Sequence, residues 1–421
     1  MSCRIFTAVL QSAGIPAVFV PLDRSVDIHV DETQLDQHFY DYLKHRAASI
    51  VLAAACPPTG NDAFLVPVVT GFIGHIPGGI LEAIGRGYTD FTAALVAAGL
   101  KTLHLQKEIL SLNTAEPQTV GELQIWKEVD GIFTADPRKV PSAQLLPSIY
   151  PDEAAELTYY GSEVIHPFTM EQVIRAKVPI RIKNTFKPGD GGTVILLEDD
   201  YEASTRITPI PPLSHAAVDP HAITATACTL KSDVLVLNIH SNRKSVSHGF
   251  LAKVFTCLDR YGVVVDLIST SEVHVSLVTS ASSLGLSGGS GSNDTSRNSS
   301  TDIFVATSPN ATDDPSVSPV LNSALTIQRT KLDMVVRELQ HLGELSVLRN
   351  MVILSLVGKR MRNMVGIAGK MFSVLARENV NIEMISQGAS EVNISCVVLE
   401  SDAERALRAV HDHCVLGMDP R

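Results

Sequence analysis

The second half of the chain carries one pattern twice, at a shift of 117 positions. In each copy a strand-like apolar run leads to a helix with apolar residues at i, i+3, i+4 and i+7, and two more strand-like runs precede a second helix. Residues that match between the copies include Gly249 and Gly366, Phe255 and Phe372, Leu258 and Leu375, and Ser269 and Ser386. The order is β-α-β-β-α with a last strand expected, so the repeat predicts two copies of one small α/β domain.

The repeat gives each predicted element a position. Strands are predicted at 234–239, 263–268 and 273–277 in the first copy and at 351–357, 380–385 and 392–398 in the second. The first helices carry apolar stripes of Leu251, Val254, Phe255 and Leu258 or of Ala368, Met371, Phe372 and Leu375, and the second helices span 331–342 and 402–413. A single apolar stripe predicts that each helix docks on one face of a sheet.

Composition sets the domain boundaries. The stretch 279–326 is dominated by Ser, Gly, Asn, Thr and Asp, which predicts a disordered insert in the first copy. Residues 201–230 show no helical or strand period and are interpreted as a linker. The predicted domains are therefore 1–200, 231–350 and 351–421.

The first 200 residues alternate helical periodicity with short apolar runs. Strands are predicted at 17–20, 50–53, 65–70, 123–129 and 180–183. Helices between such strands predict a mostly parallel sheet that is covered on both faces.

Charge and cysteine content exclude several classes of protein. A formal net charge of −11 argues against a nucleic-acid-binding protein, because no basic surplus is present to neutralise phosphates. The six cysteines form no C-x-x-C pair, which argues against a disulfide framework or a zinc site. The apolar stretch 47–56 is far shorter than a bilayer span, and no signal-peptide pattern follows Met1. We therefore predict a soluble, cytoplasmic protein.

The glycine-rich stretch 71–90 ends in G-R-G-Y-T-D, directly before the helical run F-T-A-A-L-V-A-A. Thr89 or Asp90 is a candidate N-cap, and Arg86 can grip a carboxylate with two parallel hydrogen bonds. The alternative from the pattern alone is a capped surface turn with a solvated Arg86.

The segment K-E-V-D-G-I-F-T-A-D-P-R-K at 127–139 follows a predicted strand, and ligands of open α/β sheets bind beyond the carboxyl ends of strands. Phe133 is a candidate to stack on a base, and Arg138 and Lys139 are candidates to neutralise phosphates. The alternative is a hairpin-like turn with a core phenylalanine and an exposed basic end. In T-Y-Y-G-S-E-V-I-H-P, His166 is interpreted as structural. The chain has no G-x-x-x-x-G-K-[ST] loop and no protein-kinase motifs, so it belongs to neither of those classes.

Several long segments together resemble the fungal-type monofunctional aspartate kinases. They are GRGYTD, LQIWKEVDGIFTADPRKVP, ELTYYGSEVIHPFTMEQVIRAKVPIRIKN, HSNRKSVSHGF, ISTSEVHVS and ISQGASEVNIS. The resemblance implies an α/β fold, with an αβα-sandwich amino-acid-kinase domain followed by two ferredoxin-like βαββαβ ACT domains, the second inserted within or laid against the first. It also implies transfer of the ATP γ-phosphoryl to the β-carboxylate of L-aspartate, with Mg²⁺ on the phosphates.

The family's roles are carried over to matching positions. Arg86 would hold the α-carboxylate of aspartate and Asp90 its ammonium group. Lys127, Glu128, Phe133, Arg138, Glu163 and Val164 would form the nucleotide site. Many relatives have Thr-Asp where this chain has Lys127-Glu128, which leaves the contacts at these two positions open.

The resemblance further implies feedback inhibition, by threonine, and homo-oligomers that form through the ACT domains. Candidate effector contacts are Asn242, His248, Gly249, Asp266 and Ser269 in the first copy and Asn363, Met364 and Gln387 in the second. The alternatives are that Gly249 only permits helix packing and that Ser269 only satisfies the end of a sheet.

Two departures from the family pattern affect the expected activity. The phosphate-binding segment K-F-G-G-T-S does not occur in this sequence, so we expect little or no kinase activity from the chain alone. Residues 101–121 form an insertion where relatives have a short turn, and a translated intron in a mispredicted gene model is one hypothesis for both departures. The contrasting function is a non-catalytic amino-acid sensor that pairs with a full-length kinase. Another amino-acid kinase is disfavoured, because such kinases do not match ISTSEVHVS and ISQGASEVNIS together.

Overall fold

The structure consists of two compact units. It is a computed structural model and describes residues 1–26, 37–56, 64–74, 87–110, 121–161, 165–196, 225–241, 249–271, 273–286, 304–305, 331–359, 361, 364–388 and 392–418. The first unit is formed by Met1–Pro137 and Ala143–Ala222, and the second by Arg138–Ser142 and Ile223–Arg421.

The first unit is an α/β structure. Its helices are α1 (Ser2–Ser12), α2 (Gln37–Ala55), α3 (Tyr88–Leu110), α4 (Pro151–Tyr159) and α5 (Pro167–Arg175). Its strands are β1 (Ala17–Val20), β2 (Val66–Val69), β3 (Leu123–Lys127), β4 (Ser148–Ile149), β5 (Ile180–Asn184) and β6 (Thr193–Ile195). Strands β1 and β2 form a parallel pair, and the other four form a sheet in the order β3-β5-β6-β4. All pairs are parallel except β5 with β6, so the prediction of a mostly parallel arrangement is confirmed for the described strands.

One predicted strand of the first unit is wrong. Residues 50–53 lie inside α2. The buried residues of this helix include Phe39, Leu43, Ala47 and Val51, which recur every four residues and keep one face against the core. This helical face outweighs the local β preference of the run Ile50-Val51, because propensity is weak beside tertiary packing.

Helix α3 differs from its prediction at both ends. It begins at Tyr88, so Thr89 and Asp90 lie in its first turn rather than at the N-cap. At the other end it continues to Leu110, so the insertion predicted from residue 101 begins as helix. Its residues Lys101, Leu103, Gln106, Lys107 and Glu108 are good helix formers. The remainder of the insertion, 111–120, lies outside the described residues.

The second unit contains both copies of the repeat. Its strands are β7 (Ala227–His240), β8 (Val265–Thr270), β9 (His274–Ser280), β10 (Phe304–Val305), β11 (Glu344–Val357), β12 (Met384–Ser386) and β13 (Asn393–Leu399). Its helices are α6 (Phe250–Arg260), α7 (Lys331–Gln340), α8 (Ile367–Arg377) and α9 (Ala403–Val410), and a π-helical turn follows at His411–Val415. The strand order is β12-β13-β11-β7-β9-β8, and β10 pairs with β11.

The two longest strands, β7 and β11, are shared by both copies. Their antiparallel register runs from Glu344 opposite His240 to Val357 opposite Ala227, with irregularities between Leu348 and Ile353. The first copy uses 234–240 and 344–348, whereas the second uses 227–231 and 351–357. Asp233 and Asn350, both at φ 56°, take the left-handed conformation near these transitions.

This sharing corrects three predictions. The last strand of the second copy is 227–231, which precedes the first copy in the chain, and no strand follows α9 in the described residues up to Met418. The predicted linker, 201–230, therefore includes the start of β7. The first copy thus lies within the second in sequence, the reverse of the expected insertion. A paired strand satisfies backbone groups that an exposed sheet edge would leave open.

The first helix of each copy is rotated by about one residue from its predicted stripe. The buried residues are Phe250, Val254, Cys257 and Leu258 in α6 and Ile367, Met371, Val374 and Leu375 in α8. Leu251 is instead exposed. The rotation is the same in both copies, as expected of a true repeat.

The predicted insert at 279–326 starts later than its composition suggested. Residues 279 and 280 complete β9, and a 3₁₀ helix follows at Ala281–Leu284. Leu284 is fully buried in the core of the first copy, so this turn is part of the domain. Most of the remainder, 287–303 and 306–330, lies outside the described residues.

The six cysteines differ sharply in exposure, and this yields a testable prediction. Cys56 is exposed, whereas Cys228, Cys257, Cys396 and Cys414 are buried. Burial raises the pKa of the Cys414 thiol to about 11 and that of Cys396 to about 12. Because the thiolate is the reactive form, a disulfide reagent should modify Cys56 in the native protein and the four buried thiols only after unfolding. Mass spectrometry of peptides locates the labels, and native labelling of Cys396 as fast as Cys56 would contradict the described core.

Candidate functional site

The neighbouring strands β3 and β5 end side by side in the first unit. They are parallel and in register from Leu123 opposite Ile180 to Lys127 opposite Asn184. Alternate residues of both strands are buried, which fixes their faces and therefore the register. The carboxyl end of such a pair is where an α/β sheet binds ligands.

Asp130 is held just beyond this end. One of its carboxylate oxygens accepts a hydrogen bond from Asn184 Nδ2 at 2.6 Å, and the other pairs with Lys187 Nζ at 2.8 Å. Asn184 Oδ1 in turn accepts a hydrogen bond from Phe186 N at 2.8 Å. The hydrogen bond from Lys187, followed by that from Asn184, lowers the pKa of the Asp130 carboxyl, and the same contact raises the pKa of Lys187. Asp130 is thus a charged anchor between the loop after β3 and the loop after β5.

The second ion pair of this region joins Asp90 and Lys127. Asp90 lies in the first turn of α3 and Lys127 is the last residue of β3, yet Asp90 Oδ2 and Lys127 Nζ are 2.6 Å apart. Their side chains are only 20% and 27% exposed. The structure therefore brings together two residues that the sequence placed in separate sites, one for aspartate and one for the nucleotide.

The loop after β3 forms a short hairpin-like ladder. Thr134 N donates to Gln144 O at 2.9 Å and Leu146 N donates to Ile132 O at 2.9 Å, so Phe133 lies opposite Leu145. Phe133 is half-buried. The hairpin-like alternative is thus correct for the backbone, although Phe133 is not fully buried as a core residue would be.

Gly131 is required where this loop begins. It has φ 148°, and a Cβ at this position would collide with Thr193 Oγ1. Thr193 Oγ1 accepts a hydrogen bond from Ile132 N at 2.9 Å, so the close approach ties the loop to β6.

Arg138 belongs to the second unit, whereas the other predicted nucleotide residues that the structure describes belong to the first. Its segment, Arg138–Ser142, is held there by one side chain from α9 and one from the π-helical turn that follows it. Arg408 Nε donates to Lys139 O at 2.8 Å, and Ser142 Oγ donates to Asp412 Oδ1 at 2.8 Å. Glu128 is exposed in the first unit and is a member of neither of the two ion pairs described above.

The predicted effector residues that the structure describes lie in the second unit. Gly249 and Gly366 each precede the first helix of a copy in the left-handed conformation, with φ 78° and 92°. A Cβ on either would meet nothing within 4 Å, so conformation rather than helix packing requires glycine there. Ser269 is exposed on β8, opposite Ser276.

Asp266 is the most constrained of these residues. Its Oδ1 pairs with Lys231 Nζ at 2.7 Å, which links the first copy's edge strand to the strand of the second copy. Its Oδ2 is buried and has no hydrogen-bond partner among the described residues. A buried carboxylate oxygen in this state calls for a donor, which a ligand can supply. Met364 is half-buried and Gln387 is exposed just after β12.

Six predicted site residues lie outside the described residues. They are Arg86, Glu163, Val164, Asn242, His248 and Asn363. Conversely, Asn184, Lys187 and Lys231 were not predicted from the sequence. A polar residue at the very end of a buried strand was the available signal for Asn184, and the glycine-rich stretch after it was the signal for Lys187. In the described part of the chain, no cluster of three or more His, Cys, Asp or Glu is arranged to hold a metal ion. None of the described helices is both long and apolar enough to span a bilayer.

Comparison with known proteins gives consistent matches for both units. Residues 114–184 match the amino acid kinase family, and residues 354–414 match the ACT domain. The aspartokinase of Candida albicans is 44% identical over 423 residues, which cover 99% of this chain and 66% of that relative. The aspartate kinase FUB3 of Gibberella fujikuroi is 43% identical over 420 residues, which cover 98% of this chain and 68% of that relative.

A solved structure extends this similarity to the fold. Escherichia coli aspartokinase III, crystallised with aspartate and ADP, matches with a TM-score of 0.62 at 26% identity, over 98% of this chain and 72% of that chain. These findings confirm the predicted fold class, an amino-acid-kinase domain followed by ACT domains. This chain spans 66% of the length of the Candida albicans relative, just under two thirds.

Proposed function

Since the chain belongs to the aspartokinase family, we propose that it transfers the γ-phosphoryl group of ATP to the β-carboxylate of L-aspartate. A β-carboxylate oxygen attacks the γ-phosphorus, the bond to the bridging oxygen breaks, and ADP leaves with the electron pair. The product is 4-phospho-L-aspartate. The observation that carries this proposal is the contact of Asp90 with Lys127, because it joins the aspartate-binding position to the strand end that leads into the nucleotide loop.

Such a transfer needs alignment and charge neutralisation more than covalent help from the protein. We assign the aspartate ammonium to Asp90 and the α-carboxylate to Arg86. The nucleotide is assigned to Lys127, Glu128, Phe133, Arg138, Glu163 and Val164. The anchored Asp130 supports this assignment, since it fixes the loop that begins between Lys127 and Phe133.

Mg²⁺ is proposed to arrive on the nucleotide phosphates. Magnesium usually keeps several waters and takes one or two carboxylates together with phosphate oxygens. Of the described carboxylates near the strand ends, Asp90 and Asp130 are each paired with a lysine, whereas Glu128 is exposed. Glu128 is therefore the residue that fits a contact with the ion or its waters.

The second unit is proposed to bind an amino-acid effector, threonine, and to form homo-oligomers through its ACT domains. The unpartnered Oδ2 of Asp266 supports an effector that carries an ammonium group. A cytoplasmic location is proposed because four buried, unpaired cysteines suit a reducing compartment.

An amino-acid sensor is the second candidate function. It is favoured by the second unit, in which each of the two copies has all four strands. Calorimetric titration of the 421-residue chain separates the two. Binding of both aspartate and Mg·ATP supports the kinase. Binding of threonine without nucleotide binding supports the sensor.

The substitution Asp90→Asn tests the aspartate assignment. It removes the charge that would pair with the substrate ammonium while keeping the shape, so the aspartate Kd should rise about tenfold, the effect of losing a charged hydrogen bond. Nucleotide binding should change much less. The matched control is Asp41→Asn on α2, which breaks an ion pair with Lys44 elsewhere in the same unit. An unchanged aspartate Kd in Asp90→Asn would refute the assignment.

A further inference from the structure

We propose that Lys127 is a positioning residue that competes with the substrate ammonium for Asp90 and thereby couples aspartate binding to nucleotide binding. The inference rests on the proposed function. Its starting point is the 2.6 Å contact between Lys127 Nζ and Asp90 Oδ2, where a lysine ammonium occupies the place assigned to the ammonium of the substrate.

The backbone of Lys127 is held in the sheet, whereas its side chain is long enough for the ammonium group to exchange one partner for another. Its carbonyl oxygen accepts hydrogen bonds from Thr185 N at 2.8 Å and from Thr185 Oγ1 at 3.1 Å, and its strand is paired with β5 along its whole length. The side chain is 27% exposed and has a flexible four-carbon stem. A fixed Cα with a long side chain lets the charge swing between two partners without disturbing the sheet.

Binding of the substrate ammonium to Asp90 is the event that releases Lys127 from this carboxylate. Asp130 is hydrogen-bonded by Asn184 and paired with Lys187, so its charge is already matched by another lysine, whereas the partner of Lys127 is Asp90. When the ammonium of aspartate binds Asp90, one cation replaces another and Asp90 stays paired. The displaced Lys127 then meets the nucleotide loop as an unpaired cation, which favours phosphate. The Lys127 ammonium thus exchanges a carboxylate partner for a phosphate partner, and this exchange links aspartate binding to nucleotide binding.

This mechanism makes a specific thermodynamic prediction. In the free protein, aspartate must displace Lys127, whereas with nucleotide bound the lysine has already moved to phosphate. Each ligand therefore strengthens the other by the same factor. Loss of the lysine charge should make aspartate bind more tightly, make nucleotide bind more weakly and abolish the coupling. A purely structural role would instead weaken both ligands.

The test measures aspartate binding by calorimetry with and without saturating Mg²⁺ and a non-hydrolysable ATP analogue. In the wild-type chain the analogue should tighten aspartate binding by about fivefold or more, the usual range for coupled sites. In Lys127→Met, aspartate alone should bind as tightly as it binds the wild type with nucleotide, and the analogue should add nothing. Lys127→Arg, which keeps the charge, should retain coupling. Lys44→Met, which breaks the α2 ion pair with Asp41, is the matched control and should behave as wild type.

The experiment distinguishes failure of the proposed role of Lys127 from failure of the proposed kinase function. Coupling that persists in Lys127→Met, weaker binding of both ligands in that variant, or a wild type that binds both ligands independently would overturn the role of Lys127 while leaving the kinase assignment intact. Binding of neither ligand by any variant would overturn the proposed function, and this inference with it. Thermal unfolding of each variant establishes that the comparison is made between folded proteins.

Discussion

Replacing Phe91 with alanine is expected to lower the free energy of unfolding of the first unit by about 3–5 kcal/mol, the usual cost of deleting a buried phenylalanine side chain. Phe91 is fully buried in a core cluster that includes Leu43 and Leu95. Its ring meets Tyr40 edge-on with centroids 6.1 Å apart. The surrounding side chains come from two helices and the adjoining strands, so they cannot close over the cavity without moving whole elements.

The single tryptophan lets the decrease in the free energy of unfolding of the first unit be measured separately from the unfolding of the second unit. Trp126 lies on β3 in the first unit, so its fluorescence during urea denaturation follows that unit. The control is Phe6→Ala on α1, whose side chain is 56% exposed and whose loss should cost about 0.5 kcal/mol or less. Equal shifts in the two variants would show that Phe91 is not part of the core described.

Alanine at Gly99 is expected to destabilise the first unit by about 2 kcal/mol, although alanine is the better helix former by about 1 kcal/mol. Gly99 lies in α3 where this helix crosses α2. A Cβ there would overlap the carbonyl oxygen of Lys44 and lie 2.7 Å from the Cβ of Ala48. Backbone atoms of a packed helix cannot yield as a flexible side chain can, so the helices must separate.

Gly369 is the control for Gly99, because it is also a helical glycine but has space for a side chain. It lies within α8, and a Cβ at this position would meet nothing within 4 Å. Gly369→Ala should therefore stabilise the second unit by about 0.5–1 kcal/mol through helix propensity alone. Trp126 fluorescence during urea denaturation measures the stability of the first unit and therefore the effect of Gly99→Ala. Circular dichroism also detects the unfolding of the second unit, which Trp126 does not follow, and measures the effect of Gly369→Ala. Changes of the same sign in both would contradict the described packing of α2 against α3.

The sequence predicted most strands of the structure because their signals are local. The runs at 17–20 and 180–183 lie within β1 and β5, and the 117-residue repeat located the first helix in both copies. It failed where tertiary packing overrode a local preference. Residues 50–53 read as a strand, but the buried face of α2 extends through them. The first helices were placed correctly but rotated by one residue, because periodicity fixes spacing better than phase.

The sequence predicted individual residues of the candidate site, but it did not predict which of them are in contact. G-R-G-Y-T-D and K-E-V-D-G-I-F-T-A-D-P-R-K drew attention to Asp90 and Lys127 separately, as parts of two different subsites. Their contact depends on the start of α3 meeting the end of β3, and the two residues are 37 positions apart. Asn184 and Lys187 were missed for the same reason, since only the pairing of β5 with β3 brings them to Asp130.

The sequence alone determined the family, the order of the two kinds of domain and the existence of an internal repeat, since these depend on residue identity and spacing. Which strands complete each copy, by contrast, depends on how the chain packs in three dimensions. The last strand of the second copy is 227–231, more than a hundred residues before the rest of that copy. Strand pairing joins whichever backbone donors and acceptors the fold brings alongside an open edge, and this choice is independent of distance along the chain. The ion pair of Lys127 with Asp90 is set in the same way, by contact between elements and not by any pattern within either of them.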